Sequence, residues 1–346
     1  MARTCIGPFA FCGLAVSRTG RDVYASQTAK GIEVDTQTMF RVASISKIIT
    51  ARAFLHAADE AHLSDPLYAD ISNLLGWTIR HPHHPETPIT IGMIASHTAG
   101  LKDIDLSKIP DRLSQVNYTE CFWPNPPGTY FSYSNLGYVL LAAATEAVSG
   151  QRFDKVAEAA LANFGIIGGF NWSGVPADRR ASASPTYRRD GPKFLPQIDQ
   201  NVAETGVQWP KPMAPYQPIE TTWAFSPQGG YRTSMEGLLA LAKSLRTSKD
   251  QTALWSAKET PGDTLGGVFG QYGFGLQIFD QPAFYPNRII GHFGTAYGFK
   301  GGVWFDCETE TAFAYGLNGA EIEDESDEFA EEELRIFEGI AQLRGA

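Results

Sequence analysis

The sequence predicts an α/β (α+β) fold in which an antiparallel sheet flanked by helices is joined to an all-helical lobe. Three observations carry that expectation. Short strand-like runs cluster towards both ends of the chain. The middle alternates helical segments with loops rich in Pro, Gly and Asn. A length of 346 residues is long for one simple core and short for three domains. On this division residues 1–62 and 225–346 form the sheet-bearing lobe, and residues 63–224 form a mainly helical lobe with a long Pro-rich excursion. A cleft between two such lobes is the natural place for a small-molecule site.

The elements follow in chain order. Residues 12–17 and 22–26 are strand-like, and Arg18-Thr19-Gly20-Arg21 between them has turn chemistry, so the two make a hairpin. Thr38-Met39-Phe40-Arg41-Val42 leads into a helical pattern in which Ile45, Ile48, Ile49 and Leu55 recur, with Ser44 near its start. Residues 89–96 form one helical piece. Residues 136–148 form another, opened by Asn135 as N-cap and closed by Gly150. Residues 184–227 carry many prolines and no sustained period, which reads as an ordered surface excursion over the cleft.

Thr233-Ser234-Met235-Glu236 then reads as a capping box for a helix over 237–245. Strand-like runs follow at 272–279, 288–292 and 302–305, the last pairing with 311–317 through a turn at 306–310. In the tail from 327 to 343, Phe329, Ile336, Phe337, Ile340 and Leu343 share one helical face. The N-terminal hairpin is expected to join the C-terminal meander in one antiparallel sheet.

Composition narrows the function classes. Hydrophobic residues make up 43% and charged residues 19%, an ordinary globular balance. The formal net charge of -10 repels phosphate backbones and argues against nucleic acid as a partner. Much of the acidity lies in residues 321–333, expected to be a solvated face before and on the terminal helix. No apolar run approaches the ~18 residues of a membrane span. Residues 6–16 loosely imitate a secretory signal after Arg3, but residues 12–17 read better as the first strand. A cytoplasmic chain without a signal peptide is therefore expected, a periplasmic one being the alternative. The four cysteines, Cys5, Cys12, Cys121 and Cys307, form no Cys-x-x-Cys pair; buried free thiols are expected, with disulfides the alternative that spacing leaves open.

Chemistry enters at Ser44-Ile45-Ser46-Lys47. A serine hydroxyl needs a nearby base to attack a carbonyl. Positions three apart on a helix share a face, so Lys47 can reach Ser44, while Ser46 faces elsewhere. In Tyr133-Ser134-Asn135, residues two apart in extended backbone project to one side. Tyr133 is then available as a proton acceptor, and Asn135 as an amide for Lys47 or a substrate. Gly291-His292-Phe293-Gly294-Thr295 ends a predicted strand. There Gly294 allows a substrate close approach, His292 faces the cleft and titrates near pH 6.5, and the N–H groups of Thr295 and Ser44 make an oxyanion hole. Each motif also has a plain structural reading: a chance Ser-x-x-Lys, a packed tyrosine beside a helix cap, a strand-end turn.

In this order, the segments resemble the serine beta-lactamase-like, penicillin-recognising superfamily. Its members include class C beta-lactamases, D-alanyl-D-alanine carboxypeptidases, D-aminopeptidases and beta-lactamase-like esterases. The resemblance rests on residues 38–47, on 89–101 with its His97-Thr98-Ala99-Gly100-Leu101 ending, on 127–138 around Tyr133-Ser134-Asn135, and on Gly229-Gly230-Tyr231-Arg232-Thr233-Ser234. It spans residues 12–318 and implies a beta-lactamase/transpeptidase-like fold. It also implies a serine acyl hydrolase working through an acyl-enzyme without a cofactor. Ser44 would be the nucleophile, Lys47 and Tyr133 its activating partners, the Ser44 and Thr295 amides the oxyanion hole, and Asn135, His292 and Gly294 the substrate-binding residues. His97 would turn the chain.

The sequence departs from the class C pattern at His292, where those enzymes have lysine. This favours a small ester, amide or peptide substrate over a beta-lactam. Two rival readings stand beside this one. His81-Pro82-His83-His84-Pro85 is the only histidine cluster and lacks helical metal-ligand spacing. A non-catalytic binding or sensor protein would keep the fold without turnover.

Overall fold

The computed structural model describes residues 9–170, 172, 174–181, 183–197, 216–320 and 329–343. Four of the expectations above extend outside the described residues: Cys5, the start of the signal-like stretch at Arg3 and residues 6–8, the middle of the Pro-rich excursion, and the acidic run before the terminal helix.

Strands β1 (Phe11–Arg18) and β2 (Arg21–Thr28) form the N-terminal hairpin. Its two-residue turn places Thr19 and Gly20 at φ 50° and 78°, matching the twist of the strands it joins. Next come β3 (Phe40–Arg41) and helix α1 (Ser46–Glu60). The middle of the chain contributes α2 (Ile71–Leu75), α3 (Ile91–Ala95), α4 (Asn135–Ser149) and α5 (Phe153–Leu161). It also contributes β4 (Gly168–Gly169), α6 (Ala177–Ala181), β5 (Tyr187–Asp190) and β6 (Lys193–Pro196). The last third holds β7 (Arg232–Thr233), α7 (Met235–Ser244), β8 (Trp255–Ser256), β9 (Gln271–Tyr272) and β10 (Gln277–Phe279). It closes with β11 (Ile289–Ala296), β12 (Phe299–Asp306), β13 (Ala312–Asn318) and α8 (Glu331–Gln342).

The main sheet runs β2-β1-β13-β12-β11-β10-β9-β8, with antiparallel pairing throughout. The N-terminal hairpin meets the C-terminal meander where β1 pairs with β13, as expected from the sequence. Ala312 and Ala314 of β13 face the core shared with α1 and α7, whereas Phe313 and Tyr315 face α8, where both rings contact Phe337. Because both faces are covered, β11 to β13 are apolar without a polar alternation. A second core surrounds α4, whose central residues are all buried, and joins α2, α3 and one side of α1. Helix α1 touches both cores and so carries its N-terminus to the seam between them.

Several boundaries differ from the sequence reading. Ser234 alone caps α7 by accepting from Gly237 N–H, while the Glu236 carboxylate accepts from Thr36 Oγ1 at 2.8 Å instead of folding back. The run at 272–279 splits into β9 and β10 at Gly275, which has φ 74° and lies against Ala51 and Tyr138. Residues 168–169 and 187–196 fall within the expected helical lobe but dock on the sheet lobe. β4 pairs with β7, and the β5–β6 hairpin is tied to β13 by Tyr187 N–H donating to Asn318 Oδ1 at 2.8 Å. Cys12 is disulfide-bonded, correcting the expectation of a free thiol there; Cys121 and Cys307 are free. Among the described residues, no helix is long and apolar enough to cross a membrane.

Candidate active site

The nucleophile segment is a backbone corner. Ala43 sits at φ 48°, a left-handed conformation that an L-residue adopts at a cost of about 1–3 kcal/mol. Its neighbours hold it there. Val42 N–H donates to Tyr231 C=O at 3.0 Å, Ser46 Oγ donates to Ala43 C=O at 2.6 Å, and Tyr231 N–H donates to Ser46 Oγ at 2.9 Å. Ser46, the neighbouring hydroxyl, is therefore buried and fully occupied in holding the corner. Ser44 is half-exposed, and one helical turn on, Lys47 is fully buried beneath it.

Lys47 Nζ donates to Ser44 Oγ at 3.1 Å, to Asn135 Oδ1 at 2.8 Å and to the Gln228 carbonyl at 2.8 Å. Three acceptors match the three N–H bonds of an ammonium. Tyr133 OH lies 2.8 Å from Ser44 Oγ, and Lys47 Nζ is 4.6 Å from the centre of the Tyr133 ring. A hydroxyl, an amine and a phenol from two distant stretches of chain thus share one hydrogen-bonded cluster.

Local structure explains why Tyr133 and Asn135 point the same way. Ser134 between them is extended, at φ -140° and ψ 118°, and its side chain caps α4 by accepting from Gly137 N–H. This corrects the expectation that Asn135 is the cap. Asn135 is the first helical residue, and its amide is free to turn towards Lys47. Its backbone N–H and its Nδ2 donate to the two carboxylate oxygens of Asp103, at 3.0 and 2.9 Å. His97, at φ 60°, accepts the Ser134 N–H on Nδ1 at 3.0 Å and packs its ring 4.5 Å from that of Tyr133. Phe269 packs on Tyr133 at 5.3 Å. Burial, reinforced by Lys47 and His292, holds the His97 imidazolium well below the usual 6.5, so the ring acts as a neutral support.

Strand β11 forms the opposite wall and departs from expectation at two residues. His292 is fully buried and does not face the cleft. Its Nε2 is 2.7 Å from Tyr272 OH and its Nδ1 is 2.5 Å from the Phe293 carbonyl. A carbonyl can only accept, so Nδ1 carries the hydrogen and Tyr272 donates to Nε2. Burial and then the nearby Lys47 charge push the His292 pKa down to about 3, against a weaker upward pull from the Phe293 carbonyl. Gly294 serves another part of the chain than a substrate. A Cβ there would lie 2.6 Å from the Val42 carbonyl and 3.2 Å from Ile45 N, so the glycine lets β11 press against the Ser44 corner.

Thr295 behaves as its strand position requires. Phe293 N–H points towards β10 and is taken by Gln277 Oε1 at 2.9 Å. Amides two apart in an antiparallel strand leave by the same edge. Thr295 N–H is therefore directed to the edge beyond the end of β10, where Thr295 and Ser44 line a common cavity of about 470 Å³. Arg41, Asp105, Asn135, Arg188 and Tyr297 also line it, so its walls carry both signs of charge and one exposed aromatic ring.

Sequence reasoning missed the Gln228 carbonyl, Asp103 and Tyr272. The first is a backbone acceptor and leaves no side-chain signature. Its only trace was the Gly229-Gly230 pair, whose tight turn brings Gly230 N–H to Ser226 C=O at 2.6 Å. Tyr216, Trp223 and Phe225, in the loop nearby, are packing residues. Tyr216 OH donates to Glu146, Trp223 Nε1 donates to Asp111 C=O, and Phe225 is buried. In the histidine cluster His81 is buried, with Nε2 on the Trp123 carbonyl and Nδ1 accepting from His83 N–H. Among the described residues, no group of three or more His, Cys, Asp or Glu is arranged to hold a metal ion.

Comparison with known proteins agrees with this architecture. The family model described as Beta-lactamase matches residues 12–335. The putative fimbrial assembly protein FimD, serogroup D, of Dichelobacter nodosus is 37% identical over 130 residues, which are 34% of this chain and 32% of that protein. The chain thus spans about a third of the length of the curated relatives it matches. Among solved structures, the beta-lactamase/D-alanine carboxypeptidase from Yersinia pestis superposes with a TM-score of 0.73 at 17% identity, over 97% of this chain and 93% of that one. The D-amino acid amidase from Ochrobactrum anthropi SV3 superposes at 0.68 with 18% identity, over 97% and 95%. At such identities these likenesses establish the fold.

Proposed function

Taking as premise that the chain belongs to the Beta-lactamase family, we propose that it is a serine acyl hydrolase acting on small ester or amide substrates. The observation that carries this reading is Ser44 Oγ, held at 3.1 Å from Lys47 Nζ and 2.8 Å from Tyr133 OH at the floor of an open cavity. Ser44 Oγ attacks the substrate carbonyl while its proton passes to the Tyr133–Lys47 pair. The Lys47 charge beside the phenol stabilises negative charge developing on the Tyr133 oxygen. The tetrahedral oxyanion is received by the backbone N–H groups of Ser44 and Thr295, donors that need no reorganisation in the reaction. The same proton goes to the departing alcohol or amine as the carbonyl re-forms. Water then attacks the acyl-Ser44 ester and passes a proton to the pair, which hands it on to Ser44 Oγ as the tetrahedral adduct collapses and the acid is released.

Position 292 bears on substrate choice. A buried neutral imidazole presents no fixed positive charge to a substrate carboxylate, which favours peptidase, amidase or esterase chemistry over beta-lactam hydrolysis. The test is a parallel assay of p-nitrophenyl esters, D-amino-acid anilides and a chromogenic cephalosporin, with Ser44→Ala as control and mass spectrometry after a fluorophosphonate. Ester or anilide turnover that Ser44→Ala abolishes, with the label on Ser44, supports the reading. A folded protein that neither turns over any of the three nor labels at Ser44 overturns it and leaves a binding protein.

A further inference from the structure

Resting on the reading of Ser44, Lys47 and Tyr133 just given, we propose that Asp103 is a positioning residue that fixes which face of the Asn135 amide meets Lys47. A primary amide is nearly symmetric in shape. Turned over, Asn135 would present NH2 instead of oxygen to Lys47 Nζ, and donor would face donor. Nothing in the size of the side chain prevents this. The chemistry of its other neighbour does. An ionised carboxylate only accepts, so the end of the amide that faces Asp103 has to be Nδ2. Asp103 Oδ2 takes Nδ2–H at 2.9 Å while Oδ1 takes the Asn135 backbone N–H at 3.0 Å, so both oxygens are engaged and the carboxylate cannot swing away from one bond without losing the other. Asn135 Oδ1 is thereby directed to Lys47 Nζ at 2.8 Å.

The segment that carries Asp103 is itself held. Leu101 forms a β-bridge with Phe122, Lys102 N–H donates to the Cys121 carbonyl at 2.8 Å, and Ser134 Oγ donates to the Lys102 carbonyl at 3.1 Å. Residues 102 and 103 therefore grip residues 134 and 135 in succession. Asp103 also places a negative charge at the first turn of the fifteen-residue helix α4, where the helix dipole welcomes it. Lys47 needs all three of its acceptors to keep Nζ at Ser44. With the amide reversed one acceptor becomes a donor, and the amine is driven off the line to Ser44 Oγ. Asp103 itself is solvent-exposed, so its removal opens no cavity in the core.

A double-mutant cycle tests this. In Asp103→Ala the rate of fluorophosphonate labelling at Ser44 should fall by about 10- to 100-fold, the loss expected when a reacting group is displaced by about 1 Å. The circular-dichroism spectrum should remain that of the parent. Asn135→Ala should lose at least as much, and the double variant should be no slower than Asn135→Ala, because Asp103 acts only through that amide. Asp103→Glu, which keeps an acceptor-only group, should recover part of the rate.

A second readout does not depend on turnover. The titration of the Lys47 amine, followed by NMR on 15N-lysine-labelled protein, should move in Asp103→Ala but not when the same change is made in an Asn135→Ala background. Losses that multiply in the double variant, or a Lys47 titration unmoved by Asp103→Ala, overturn the proposal. If the parent protein does not label at Ser44, the hydrolase reading fails, and the NMR arm alone decides the role of Asp103.

Discussion

Two buried bases lie within one site, and the fold treats them in opposite ways. Lys47 and His292 are both withdrawn from water. Lys47 is met by three oxygens, from Ser44, Asn135 and Gln228. His292 is met by one acceptor and one donor, the Phe293 carbonyl and Tyr272 OH, a set suited to the neutral ring. Burial disfavours charge on each alike. What separates them is the set of partners, three acceptors around the amine against one acceptor and one donor around the ring, and two of the three acceptors, Asn135 and Gln228, come from far away in sequence.

The comparison can be broken most decisively at Lys47. Lys47→Met keeps the volume and removes the proton carrier, and kcat/KM for the best substrate is expected to fall by about 10²- to 10⁴-fold. Steady-state assay alongside Ser44→Ala measures it, and near-normal turnover would mean that Tyr133 works alone. The reverse change, His292→Lys, forces a second ammonium close to Lys47, into surroundings that offer it one carbonyl and one phenol oxygen. Equilibrium urea unfolding at pH 7 should show a loss of about 3–5 kcal/mol, the range for an uncompensated buried charge. An unshifted midpoint would show that burial at this site costs an ammonium nothing.

A smaller effect follows from protonation. With a folded pKa of about 3 against an ordinary 6.5, His292 binds its proton in the unfolded chain before the native one. Its contribution to stability is complete above pH 6.5 and is lost as pH falls towards 3, with a slope of about 1.4 kcal/mol per pH unit. Glu333 works in the other direction. Burial pushes its pKa up to about 7, against lowering by the Ala330 N–H and Tyr315 OH, so its contribution is complete below pH 4.5 and is lost as pH rises through 7. Unfolding curves of His292→Gln and Glu333→Gln between pH 4.5 and 7 should therefore diverge from the parent with opposite slopes; slopes of the same sign would contradict the burial argument. No inflection of activity near pH 6.5 is expected from His292.

The smallest effect sharpens the assignment of the nucleophile. Ser46→Ala orphans Tyr231 N–H and one acceptor at the Ser44 corner, at about 1–3 kcal/mol of stability. Labelling should stay on Ser44, and a label lost with Ser46 would move the nucleophile.

How far the sequence spoke for itself follows a physical line. The Ser44–Lys47 pair was legible because helical spacing is a local rule, and so was the common side of Tyr133 and Asn135. The joining of the end strands was legible because their apolar runs have to be covered. His292 was misread because a strand buried on both faces shows no alternation from which to tell cleft from core. Asn135 was taken for the cap because Ser134, one position earlier, is an equally good one; only the register of α4 separates them. The β5–β6 hairpin was invisible inside a Pro-rich run, since its docking on β13 depends on Asn318, far away in sequence.

The position of Gly294 against the Ser44 corner has a consequence for the protein's life before it is complete. Ser44 emerges from the ribosome early and β11 late, so while the intervening chain is being made the bent turn at Ala43 has Ser46 beside it but neither Tyr231 nor β11. The corner reaches its final form only with the closing of the sheet.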